Sequence, residues 1–294
     1  MLNKLVNQAV LSHPEYKASV HVIEKEILHH DILSVMLKHN VLNDLTFIGG
    51  TALRLCYNSV RLSEDIDFTV NRDTQLQDLR GFGDEIAKFI KQKYGMNVTV
   101  KEPVISKDDT STWKVSIEKE ASRPDMPRQK INIDICSVHS LGCEHRPLID
   151  HYDVCKSSFL IPVQSQSEIL ADKFVALALN NIKPRDLWDI TWLQNKGIKL
   201  NSKNVTDKLA LRNIDTSYFE ALMKQKLLMV KSHPDVRSNF TKEMERFLPN
   251  DVAKNTIRNE EFWGYLKGEV DTQATNLLSN INSPKKNKPF DMGT

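Results

Sequence analysis

Asp65 and Asp67 stand one residue apart in Asp65-Ile-Asp-Phe-Thr-Val70, a run in which apolar and polar residues alternate. Period-two alternation marks a strand with one covered face. Ile66, Phe68 and Val70 share that face, while Asp65, Asp67 and Thr69 share the other, so both carboxylates project to the same side. Neighbouring carboxylates repel each other unless a cation sits between them. Mg²⁺ is held by such groups together with phosphate oxygens. This short run therefore asks for a sheet packed on one side, with a cation-binding strip on the other.

The residues upstream supply a second element of the same chemistry. Leu45-Thr-Phe-Ile48 reads as a short strand, Gly49-Gly50 as a turn, and Thr51 to Tyr57 as a helix beginning at that turn. Backbone N–H groups at a helix start attract phosphate, and glycine permits its close approach. Downstream, Lys130–Cys136 alternates Ile131, Ile133 and Ile135 against Asn132 and Asp134. By itself Asp134 would read as a solvent-side polar residue. Beside the Asp65/Asp67 strand it becomes the third carboxylate of a metal cage.

The rest of the chain sets the frame. Residues 16–40 and 74–93 read as helices, and Met96–Ile105 and Ser111–Glu120 as strands, with Ala121–Arg128 a loop. After about Pro162 the texture changes, and residues 165–181, 184–196, 203–213, 215–231 and 238–248 all read as helices, with 252–281 helical in part. The expectation is an α+β protein. An α/β domain with a mixed sheet flanked by helices spans 1–160, a helical domain spans 161–282, and 283–294 is a disordered tail.

Composition narrows the class without naming a function. No apolar run approaches the ~20 residues that span a bilayer, and the N-terminus lacks the apolar stretch of a signal peptide. Cys56, Cys136, Cys143 and Cys155 form no CxxC pair, which suits reduced thiols in a cytoplasmic protein. Net charge is +2, but residues 1–150 sum to −2 and residues 151–294 to +4. That asymmetry is compatible with an anion facing the second half, and equally with scatter.

Phe47-Ile-Gly-Gly-Thr through Asp65-Ile-Asp-Phe-Thr-Val70 resembles the nucleotidyltransferase superfamily signature, a Gly-Gly or Gly-Ser turn, a short helix and an acidic DxD strand. More narrowly, GGTALRL…RLSEDIDF resembles the AbiEii/MenT-type toxins of bacterial type IV toxin–antitoxin and phage-defence systems. Ser167-Glu-Ile-Leu-Ala-Asp-Lys173 and Lys183-Pro-Arg185-Asp186-Leu-Trp-Asp189 resemble that family's helical Lys and RDxxD motifs. The resemblance covers roughly residues 45–195. It implies transfer of a nucleoside monophosphate from an NTP, assisted by Mg²⁺ or Mn²⁺, to an acceptor. The leading acceptor is RNA, in particular the tRNA 3′ end, and a cognate antitoxin would hold the toxin in check. Carried over by position, Gly49, Gly50 and Thr51 hold triphosphate, Asp65 and Asp67 bind metal and Lys173 contacts phosphate. Arg185, with Asp186 or Asp189, completes the site from the helical half.

Each of these residues also has a plainer reading. Arg61 and Ser63 either orient phosphate and Asp65 or cap the strand. Lys173, without the resemblance, reads as an exposed lysine, and Arg185 with Asp189 as an i,i+4 helical ion pair. Trp188 and Trp192 read as packing, and His29-His30 as helix surface. Cys136, His139, Cys143 and His145 have a spacing that does not match an established zinc pattern. The competing functions are a nucleotidyltransferase acting on a small molecule or protein, as in antibiotic adenylylation or AMPylation, and a nucleotide-binding module without turnover.

Overall fold

The apolar faces foreseen at Ile66–Val70 and Ile131–Ile135 lie side by side in one seven-stranded mixed sheet of order β3-β4-β5-β2-β1-β7-β6. The computed structural model describes residues 1–71, 74–103, 110–118, 127–155 and 159–282. The strands are β1 (Leu45–Ile48), β2 (Ile66–Val70), β3 (Asn97–Lys101), β4 (Thr110–Glu118), β5 (Gln129–Cys136), β6 (Glu144–Pro147) and β7 (Leu160–Val163). Among them run α1 (Leu2–Ser12), α2 (Val20–Lys38), α3 (Gly49–Tyr57) and α4 (Phe82–Tyr94). After β7 come α5 (Gln166–Leu179), α6 (Pro184–Asn195), α7 (Ser202–Leu211), α8 (Thr216–Ser232), α9 (Pro234–Met244), α10 (Asn250–Asn255) and α11 (Glu260–Asn282).

Ile131, Ile133 and Ile135 are fully buried, as are Ile66 and Phe68 next to them. Each such side chain contributes roughly 1.5–3 kcal/mol by leaving water. β2 runs parallel to β5 and antiparallel to β1, and β7 runs parallel to β1. The core face buries the alternating isoleucines, so register cannot slip by one residue without exposing them. The opposite face of β2 and β5 is thereby fixed too, and it carries the acidic residues. α3 packs on β1 and β2, and a buried ion pair, Arg54 Nε to Glu26 Oε1 at 2.8 Å, ties it to α2.

Several expectations need correction. The helix foreseen over 16–40 is a 3-10 turn, Pro14–Ser19, followed by α2, because Pro14 opens the turn and lacks the N–H of a helix interior. His29 and His30 are not surface residues. Both are buried within α2, which is covered on nearly all sides, and His29 Nε2 sits 3.0 Å from the Glu64 carbonyl oxygen. Strands β6 and β7, at one end of the sheet, had no periodic signal, being only four residues each. The expected boundary near 160 falls at the start of β7, which pairs with β1, and the helical run starts at Gln166. Most of the Ala121–Arg128 loop and the 283–294 tail lie outside the described residues. No helix among the described residues is long and apolar enough to cross a membrane.

Candidate active site

The parallel register of β2 on β5 sets Asp67 directly beside Asp134. On its other side, the antiparallel register of β1 sets Asp67 opposite Ile48, the residue before Gly49. Three separate stretches of sequence thus meet at one point on the sheet's polar face. Asp65 stands just before β2, and its Oδ1 accepts from the Asn132 backbone N–H at 3.3 Å. Asp134 Oδ1 accepts from the Thr112 hydroxyl at 2.5 Å, across the β4–β5 pair.

The two glycines are demanded by what surrounds them. Gly49 has φ +76°, and a Cβ there would come 2.7 Å from Asp67 Oδ2. At Gly50 a Cβ would lie 2.1 Å from Arg61 Nη2. Larger residues would push the carboxylate or the guanidinium out of place. Thr51 is buried, and its hydroxyl reaches Ser63 Oγ at 2.7 Å and the Asp65 carbonyl oxygen. It fastens the segment leading to the acidic strand onto the start of α3.

The helical part closes the site from the other side. Lys173 on α5 is not exposed. Its Nζ is 2.6 Å from Asp186 Oδ1 and 2.9 Å from Asp189 Oδ2, both on α6. Asp189 is fully buried and also receives Arg61 Nε at 2.8 Å and Nη2 at 2.9 Å. The local i,i+4 pairing of Arg185 with Asp189 therefore does not form. Arg185 instead reaches Glu243 Oε1 at 3.0 Å on α9. Trp188, on the buried side of α6, packs against Phe262 with ring centroids 5.9 Å apart.

Around these groups the surface forms a cleft with two lobes. The first, about 160 Å³, is lined by the three carboxylates together with Gly50, Arg61, Ser63, Lys173, Lys183, Arg185 and Asp186. The second, about 290 Å³, shares Gly50, Asp67, Lys173, Lys183 and Asp186 and adds Gly49, Thr69, Cys136, Gln164, Asp172 and Arg212. Lys183 and Arg212 escaped sequence reasoning. A signal existed for Lys183, which precedes Pro184 at the first turn of α6 and so stands at a helix start. Arg212 carries none.

The electrostatics differ sharply between carboxylates. Burial, then the Asp134 charge, push the Asp67 carboxyl up to about 7 against the pull of Lys173. Burial likewise raises Asp134, although the Thr112 hydrogen bond opposes it. For Asp189 burial is overcome by Arg61 and Lys173, which hold it below the usual carboxylate range. Burial alone would lower the Lys173 ammonium, but Asp186 and Asp189 keep it above its ordinary value. Asp65, Asp67 and Asp134 offer carboxylate oxygens only, the donor type that hard cations such as Mg²⁺ and Mn²⁺ take, although the three do not all bring an oxygen within 4.8 Å of one another among the described residues.

The model of the nucleotidyl transferase AbiEii toxin family, of type IV toxin–antitoxin systems, matches residues 31–267. The chain belongs to the AbiEii family. MenT4, a nucleotidyltransferase toxin from Mycobacterium tuberculosis, has the same fold, with a TM-score of 0.52 and 16% identity over 96% of this chain and 99% of that one. JHP933 from Helicobacter pylori is similar at a TM-score of 0.46 and 15% identity, over 87% of this chain and 94% of that one. No curated protein is similar enough to match. As an AbiEii protein the chain is a nucleotidyltransferase. The family match spans the acidic strand pair, the Gly49-Gly50 turn and both lobes of the cleft.

Cys136, His139, Cys143 and His145 do not converge on a common point among the described residues. Cys136 lines the second lobe of the cleft, Cys143 is exposed, and His139 Nδ1 lies 2.8 Å from the Ser140 carbonyl oxygen. All four cysteines are free thiols.

Proposed function

We propose that this AbiEii protein transfers a nucleoside monophosphate from an NTP to a hydroxyl at the 3′ end of tRNA. The single observation that carries the transfer chemistry is the register that aligns Asp67 with Asp134 and brings both to the Gly49-Gly50 turn. Asp65, Asp67 and Asp134 would hold Mg²⁺ or Mn²⁺. Bound there, the cation would neutralise charge on the phosphates and on the attacking and leaving oxygens.

The chain's own residues bind and orient. The start of α3 offers backbone N–H groups at Gly49 and Gly50 to the triphosphate. Lys173, Lys183 and Arg185 supply positive charge along the lobe that holds the three carboxylates. The acceptor hydroxyl oxygen forms a bond to the α-phosphorus and gives up its proton to solvent, the bridging bond to the β-phosphate breaks, and pyrophosphate leaves. Asp186 lines both lobes, which supports a role at the substrate. Asp189 lines neither lobe and has its oxygens engaged by Arg61 and Lys173, which supports a positioning role.

The RNA acceptor is supported by Arg212 and Lys183 at the second lobe. The family's type IV toxin–antitoxin setting supports a cytoplasmic reaction and control by an antitoxin protein. Incubation with each labelled NTP and total tRNA, followed by sequencing of the RNA ends, tests the reading. Label on RNA that vanishes in Asp65→Asn and Asp67→Asn supports it. Label on protein or a small molecule, with none on RNA, assigns the other acceptor classes.

A further inference from the structure

We propose that His30, Asp150 and Cys155 bind a divalent transition-metal ion of the zinc class and fasten the β6–β7 connection to α2. One ring nitrogen of His30, one carboxylate oxygen of Asp150 and the Cys155 sulfur all lie within 4.8 Å of one another. Ligand atoms of a tetrahedral zinc site stand about 3.3–3.8 Å apart, from bond lengths of about 2.0–2.3 Å. The three donors therefore need only side-chain adjustment to enclose an ion. They lie apart from both lobes of the cleft, whose linings contain none of them.

Packing on both sides fixes the donors. Ile149 N–H donates to the Leu55 carbonyl at 2.7 Å, and His151 Nε2 lies 2.9 Å from the Arg54 carbonyl oxygen, so the connection is held to α3. The Tyr152 hydroxyl donates to Glu26 Oε2 at 2.9 Å, which holds the same connection to α2. Asp150 accepts from the Tyr152 and Cys155 backbone N–H groups at 3.2 and 2.6 Å, which closes a turn that brings carboxylate and thiol together. His30 comes up from α2 beneath this turn. It is 2% exposed, and its Nδ1 has no hydrogen-bond partner among the described residues. A buried, unpaired ring nitrogen is costly in a core and useful in a ligand.

A Cys, a His and an Asp can also make a nucleophilic triad, and the surroundings argue against that use. Burial, then the charges of Asp150, Asp31 and Glu26, push the Cys155 thiol well above its ordinary value. A nucleophilic cysteine needs the opposite shift. Burial lowers His30, which leaves a neutral imidazole, the form that coordinates metal. Glu26 and Asp31 are already paired with Arg54 and Lys93, so Asp150 is the carboxylate left to meet a cation here, and a coordinated thiol gives up its proton. The sulfur and nitrogen donors select zinc-class ions over Mg²⁺, so this site and the carboxylates of the cleft take different metals.

The test uses the whole chain, stripped with EDTA and titrated with Co²⁺. The near-ultraviolet sulfur-to-cobalt charge-transfer band should saturate at one equivalent, apart from any Co²⁺ on the cleft carboxylates, which gives no such band, and Zn²⁺ should abolish it. Cys155→Ser should abolish the band, whereas Cys136→Ser, at the cleft, should retain it, and Asp150→Asn should weaken Co²⁺ binding at least about 10-fold. Absence of the band in the wild type, its survival in Cys155→Ser, or its loss in Cys136→Ser overturns the proposal. If Cys155→Ser does not fold, alkylation of Cys155 in the wild type, mapped by peptide mass, decides. Zn²⁺ should slow it severalfold and Mg²⁺ should not, and equal rates with and without Zn²⁺ overturn the site.

Discussion

Two aspartates of the same cleft region, Asp67 on β2 and Asp189 on α6, have opposite electrostatic fates. Asp67 faces Asp134 across a strand pair, and burial together with that neighbour raises its carboxyl to about 7. Asp189 is more deeply buried, yet Arg61 and Lys173 hold its charge firmly in place. The first group is left short of positive charge by its own chain, and the second is fully satisfied by it. A ligand that brings positive charge therefore gains most at the strand pair. The α6 network forms the frame around that point: Arg61, pinned by Asp189, fills the space that a side chain at position 50 would need.

Mutation of the two aspartates should separate them. Asp67→Asn should lower nucleotide transfer by on the order of 10³-fold, about 4 kcal/mol of barrier, with an unchanged or raised Tm. Retention of full transfer would remove the strand pair from the chemistry. Asp189→Ala should instead strike the fold. It leaves Arg61 as a buried cation without its carboxylate and Lys173 with Asp186 alone, a loss of about 3–5 kcal/mol, readable as a shift in the denaturant midpoint. A stability change below about 1 kcal/mol would contradict the network.

The pH response should differ in the same way. Asp67 titrates near 7 in the folded state against an ordinary value of 3.8, so the metal-free fold holds an extra proton between those values. Its contribution to stability is then present at low pH and is lost as pH rises from about 4 to 7. Wild type minus Asp67→Asn, compared at pH 5 and pH 7.5 with EDTA present, should show wild type losing relative stability by about 2–3 kcal/mol. Added Mg²⁺ should reverse the loss, because it needs the ionised carboxylate. The smallest expected effect is at Lys183, which is exposed and lines both lobes. Lys183→Ala should raise KM for the NTP by about 10-fold, roughly 1.4 kcal/mol, with little change in Tm. An unchanged KM would place Lys183 outside the substrate path.

How far each part could be read from residues alone follows from the range of the interaction behind it. The Asp65/Asp67 strip, the Gly49-Gly50 turn and the polar face of its strand on which Asp134 lies all follow from alternation and local turn chemistry, which act over a few residues. So do most of the helices. β6 and β7 were missed because four residues with interrupted apolarity give no period to detect. His29 and His30 were misplaced because α2 is covered on both sides, so burial there does not follow one stripe. Lys173 and Asp189 were visible as a spacing, but their partners were not: Arg61 lies 128 residues from Asp189.

Chain order alone was enough to dictate which side chains share a face, since that depends on backbone geometry repeated every two or 3.6 residues. It was also enough to specify oxygen-rich chemistry opposite a glycine turn. Which faces meet was settled only when the chain closed on itself. The parallel pairing of β2 with β5 joins Asp67 to Asp134, and the docking of α5 and α6 converts Lys173, Arg61 and Asp189 from scattered charges into one buried network. Those contacts join residues far apart in sequence, so their energies depend on where the whole core places each element and not on the local order of residues.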